Sequence, residues 1–150
     1  MSYQFKFEKI LTIREREKEE AGSAYNQSVK RFEEAAENLF ELLKRKEDLE
    51  SYQASRLTTG LSVQEIRHNQ QFISNLSRTI EHSQKVVQNA RSSMSFYQEK
   101  LLEKNLEVKK FVKIKEKDHS NYLLVEKAEE AKLMDEISLQ QYMQHEKVGG

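Results

Sequence analysis

Four histidines and a set of adjacent carboxylates are the side chains best suited to acid, base or metal chemistry, and their spacing argues against each use. His68, His82, His119 and His145 are nowhere i and i+4 to one another, the spacing that puts two zinc ligands on one helix face. Acidic pairs such as Glu33-Glu34 and Glu129-Glu130 sit among other charges, and a carboxylate needs a desolvating cleft before its pKa moves toward catalytic use. No glycine-rich stretch could cradle phosphates. The absence of cysteine removes disulfides, thiolate nucleophiles and cysteine zinc sites, and fits a reducing compartment. The expectation is a protein with no catalytic residues, metal, cofactor or small-molecule ligand, whose work is done by its surface.

Composition says what kind of element carries that surface. Of 150 residues only 37% are hydrophobic and 33% are charged, there is no proline, and glycine occurs four times; mean hydropathy is −0.86. That is too polar for a compact globule but suits long helices that each bury one narrow stripe. Twenty-five basic residues balance twenty-five acidic ones, so no net field draws nucleic acid or an anionic membrane surface. No apolar run approaches the roughly 20 residues of a membrane span, and the start MSYQFKFEK lacks a signal-peptide core. A cytoplasmic protein is expected.

One turn organises the pattern. Gly60 follows a long periodic run, where a glycine can take the left-handed backbone of a helix C-cap. Two residues on, Ser62 and Glu65 have the S-x-x-E spacing of a capping box, flanked by Leu61 and Ile66 as a hydrophobic staple. The spacing predicts an all-α fold: two long helices, about 4–58 and 63–146, joined by a turn at 59–62 into one antiparallel coiled-coil hairpin over residues 1–150. Along the first helix, Tyr25, Val29, Phe32, Ala36, Leu39 and Leu43 step by fours and threes, and after Leu39 the stripe slips to Leu42, Leu49 and Tyr52. Along the second, Ile66, Ile73, Ile80, Val87, Met94, Leu101 and Val108 recur every seven.

Folded about Gly60, residue i lies opposite roughly residue 120 − i. Phe7 and Leu11 then reach Val108 and Phe111, Gly22 and its small neighbours face Phe96 and Tyr97, and the charged block 14–20 falls beside Lys100, Glu103, Lys104 and Glu107. The polar seam positions Lys115 and Asp118 read as the place where the partner helix ends. Beyond them about 30 residues project as a C-terminal overhang that keeps Tyr122, Val125, Ala128, Met134 and Ile137. Either another protein covers that stripe or it is a frayed tail ending in Val148-Gly149-Gly150.

The block His68-Asn69-Gln70-Gln71-Phe72-Ile73-Ser74-Asn75-Leu76 with Ile80-Glu81, the block Lys132-Leu133-Met134-Asp135-Glu136-Ile137, and the start Tyr3-x-Phe5-x-Phe7-x-x-Ile10-Leu11 resemble the FliJ family of flagellar type III export proteins, in its Gram-positive form. The resemblance spans nearly the whole chain. It implies a coiled coil that supports export of flagellar subunits by binding the hexameric export ATPase and the cytoplasmic domain of the export gate, at the inner face of the membrane. Export chaperones are a further candidate partner. It maps ATPase binding onto the open end, at Tyr3, Phe5, Phe7, Leu11, Met134, Asp135 and Glu136, and gate binding onto Leu42, Phe72 and Leu76. The alternative is a structural coiled coil that self-associates through the overhang.

The capping box yields the first test. Ser62→Ala is expected to lower stability by about 1 kcal/mol by stranding a helix N-terminal donor. Thermal melts check it, and an unchanged melting temperature would mean that the second helix does not start there.

Overall fold

The computed structural model describes residues 3–149; Met1, Ser2 and Gly150 lie outside the described residues. Two helices account for the fold, α1 (Glu8–Thr59) and α2 (Val63–Gly149), and no strand occurs among the described residues. The chain forms two compact units, one of Lys18–Glu103 and one that joins Met1–Glu17 to Lys104–Gly150.

The Lys18–Glu103 unit is a helical hairpin. Gly60 has φ 95°, left-handed backbone that a side chain would strain, and its N–H donates to the Arg56 carbonyl at 2.9 Å to close α1. The Glu65 N–H donates to Ser62 Oγ at 3.2 Å and the Ile66 N–H to the Ser62 carbonyl at 3.1 Å, so Ser62 caps the first turn of α2. Leu61 and Ile66 are both half-buried, as a staple requires.

From the turn the two helices bury one narrow seam. Leu76 and Ile80 are its most covered apolar residues, with Phe32, Leu39, Leu42, Ile73 and Val87 half-buried around them. Leu42 is half-buried, as the slip of the stripe requires, while Leu43, expected in the seam by its spacing from Leu39, is corrected to exposed because the step from Leu39 to Leu42 turns the next residue outward. The slip does not continue to Tyr52. That ring is exposed and its hydroxyl accepts a bond from Arg56 Nε at 3.1 Å, while Gln53, four residues after Leu49, takes the covered position.

Small residues let the helices approach. Ser28 is 2% exposed, the deepest side chain described, and it stays satisfied because its hydroxyl donates to the Tyr25 carbonyl at 2.6 Å within its own helix. Ser83 is also buried. A Cβ at Gly22 would meet Leu101 Cδ1 at 3.8 Å, so Gly22 looks onto Leu101, and Phe96 is exposed, with the Lys100 ammonium 5.4 Å from its ring centre. The expected facing of Gly22 and Phe96 is therefore corrected: Phe96 precedes the seam position Tyr97, which turns it out to the flank.

In the unit that joins both ends of the chain, α1 starts at Glu8 and not near residue 4. Residues 3–5 are non-helical and Lys6 and Phe7 form a turn, with the Glu8 N–H donating to the Phe5 carbonyl at 3.3 Å. The physical reason lies in the alternation Tyr3-x-Phe5-x-Phe7, which has the two-residue period of extended chain. Extended backbone brings Phe5 back onto α2, where Phe5, Leu11 and Val108 form a buried cluster edged by Tyr3, Phe111 and Val112. Phe7, expected in that cluster, is 37% exposed and packs edge-on against Phe5 with ring centres 5.8 Å apart.

The hairpin seam carries a direct test. Ile80 is 6% exposed, and Ile80→Ala is expected to destabilise the protein by about 2–4 kcal/mol through lost burial and the cavity left behind. Chemical denaturation checks it. A silent Ile80→Ala beside a costly Glu81→Ala would put the seam one residue out of register.

Candidate functional site

The joined ends contain the polar interactions that define the register there. A four-residue charged layer crosses from α1 to α2: Lys104 Nζ lies 3.1 Å from Glu17 Oε2, and Arg14 Nη1 lies 3.1 Å from both Glu17 oxygens. Arg14 Nε and Glu107 Oε2 face each other at 3.7 Å, each shut off from solvent and without a hydrogen bond. At that separation they attract as charges but do not form a hydrogen bond, so the bonds to Glu17 hold the layer and this pair adds little. The bond from Lys104 is the main reason that the Glu17 carboxyl sits below its ordinary pKa; partial desolvation opposes it, and Arg14 adds to the lowering.

Toward the chain end, Lys115 Nζ meets Glu8 Oε2 at 2.9 Å and stands 6.0 Å from the Phe5 ring centre. The Tyr3 hydroxyl donates to Asp118 Oδ2 at 2.9 Å. The Tyr3 ring packs edge-on against His119, with centres 4.8 Å apart, and beside Tyr122 at 5.2 Å. Desolvation first, then the bond and charge of Asp118, push the Tyr3 phenol up to about 12, so it is a neutral donor across the physiological range. Lys115 and Asp118 thus have polar partners in the first eight residues. The partner helix does end at Lys115, which meets Glu8, the first residue of α1. The expectation that α2 is unpaired beyond that point is corrected: the extended residues before α1 carry pairing on to Tyr122, and only from Leu123 to Glu146 is every residue exposed.

The residues mapped to ATPase binding divide by accessibility. Phe5 and Leu11 are core, at 8% and 4% exposed, and Tyr3 is half-buried. Phe7 is available to a partner, as are Met134 at 65% exposed and the neighbouring Asp135 and Glu136. Of the residues mapped to gate binding, Phe72 is 49% exposed, Leu42 is half-buried, and Leu76 is buried beneath the surface. Leu76 therefore fixes the seam from which Phe72 projects, and Phe72 is the side chain that a partner can touch. Ser28 and the core role of Phe5 were missed from the sequence; the two-residue alternation of the N-terminal aromatics was the signal for Phe5.

Among the described residues no group of His, Asp or Glu is placed to hold a metal ion, and no helix is long and apolar enough to cross a membrane. Comparison with known proteins gives a consistent assignment. The family described as "Flagellar FliJ protein" matches residues 3–147. The flagellar FliJ protein of Bacillus subtilis (strain 168) is 50% identical over 143 residues, covering 95% of this chain and 97% of that protein. No solved structure matches at a significant level.

The charged layer predicts a pH dependence. A carboxylate with a depressed folded pKa adds stability that is present above its unfolded pKa and lost as pH falls through the folded one. Glu17 should therefore stabilise the paired ends at neutral pH and stop doing so in acid, below the ordinary carboxylate range. Melting temperature against pH, compared with Glu17→Gln, checks this. The variant should melt lower at neutral pH and converge on the parent in acid; a constant offset at every pH would contradict it.

Proposed function

The chain belongs to the FliJ family of flagellar proteins, and from that premise we propose that it is a non-enzymatic component of flagellar protein export. It acts in the cytoplasm, held peripherally at the membrane face of the flagellar base, by binding the hexameric export ATPase and the cytoplasmic domain of the export gate. The observation that carries this reading is family membership over nearly the whole length. The surface supports it with accessible residues for both contacts: Phe7 and the Met134–Glu136 stretch for the ATPase, and Phe72, braced by Leu76 and Leu42, for the gate. Tyr3, Phe5 and Leu11 serve the ATPase contact from within, by holding the end of the chain against α2.

An exposed aromatic at the centre of a contact typically dominates its affinity. Isothermal calorimetry on the purified export ATPase and gate domain, with the full chain and two variants, tests the assignment. Phe72→Ala should weaken gate binding by about tenfold or more and leave the ATPase affinity alone. The double variant Met134→Ala, Glu136→Ala should do the reverse. Parent-like affinities for both variants would remove these residues from the sites, and a parent chain that binds neither partner would overturn the reading itself.

A further inference from the structure

The solvent face of α2, across the helix from the seam with residues 3–17, carries a self-complementary pattern of exposed residues between 106 and 142. Starting at Leu106 and stepping by fours and threes, the helix presents Lys110, Lys113 and Lys117, then Leu124, Ala128 and Ala131, then Asp135, and ends at Tyr142. All are exposed; Leu106, Leu124 and Tyr142 are 57%, 66% and 63% exposed. The stripe is about 55 Å long at the rise of an α-helix. Its basic residues all precede Leu124 and its one acid follows it.

We infer that this face packs against the same face of a second copy of the chain, as an antiparallel helix pair with its two-fold axis at Leu124. In that arrangement Leu124 meets its own copy, Ser120 meets Ala128, and Lys117 meets Ala131. Asp135 falls opposite Lys113, with Lys110 and Lys117 one turn to either side, and Leu106 caps each end of the stripe against Tyr142. Charge chooses the orientation. A parallel pair would stack each of the three lysines and Asp135 on its own copy, four like-charge contacts on one seam, whereas the antiparallel pair has none directly opposed. A two-fold contact also closes on itself, so it stops at a dimer. Leu124 at the centre, with Ser120 and Ala128 beside it and Ala131 facing the stem of Lys117, allows close helix approach there.

The chain has no cysteine of its own, which makes the two-fold directly testable in the full-length protein. Leu124→Cys on the axis should oxidise rapidly to a disulfide-linked dimer, whereas Leu133→Cys, on the opposite side of α2, should not. Sedimentation velocity should show a concentration-dependent dimer that weakens as salt is raised, because its orientation rests on exposed charges. Asp135→Lys should weaken the dimer by about tenfold, and the swap Lys113→Asp, Asp135→Lys should restore part of the loss, because Lys110 and Lys117 still flank position 135. All of these substitutions lie on exposed positions and leave the seam with residues 3–17 intact. A chain that stays monomeric, equal cross-linking of the two cysteine variants, or a dimer indifferent to Asp135→Lys would each overturn the inference and leave the face to another partner or to solvent.

Discussion

A helix in which a third of the residues are charged can bury only one narrow stripe, and in this chain the cover for that stripe is another part of the same chain. Everything observed follows from meeting that constraint twice. Around Gly60 it is met by two helices, with Leu76 and Ile80 the most covered apolar residues and the small Ser28 and Ser83 buried in the same unit. In the unit that joins the first residues to the last, the cover is a short extended segment and the first turns of α1, and the buried apolar residues are Phe5, Leu11 and Val108. There polar groups add to the apolar contact, with Lys104, Lys115 and Asp118 of α2 meeting Glu17, Glu8 and Tyr3.

Much of this was legible because helix signals are local. Gly60 and Ser62 announce their roles by type and spacing, and a seven-residue recurrence from Ile66 to Val108 needs no knowledge of a partner. What failed depended on longer reach. Lys115 and Asp118 break the apolar pattern and do mark where α1 gives out, yet Asp118 and Tyr122 are still covered by Tyr3, more than a hundred residues away in sequence and outside any helical period. Phe7 looked like a seam residue because heptad spacing was extended into a segment whose alternation is that of extended chain. Ser28 was passed over because a buried serine resembles a solvated one until its hydroxyl is seen to bond Tyr25.

Accessibility reorders the candidate site more than it changes its membership. Residues assigned together by family likeness separate into those that a partner can touch, such as Phe72 and Met134, and those that hold the touching residues in place, such as Leu76 and Leu11. The distinction matters for mutagenesis, since truncating a buried residue loosens the helix pair and weakens every function at once, while truncating an exposed one is selective.

The central claim is that α2 is protected where the chain covers it and offered to a partner where it does not. Amide hydrogen exchange, followed along α2 at high dilution with and without the export ATPase, tests this most directly, because local opening reports local cover. The account predicts slow exchange around Leu76, Ile80 and Val108 in both samples, and rapid exchange over residues 123–146 that slows only when the ATPase is added. Rapid exchange over 123–146 that the ATPase leaves unchanged would contradict it.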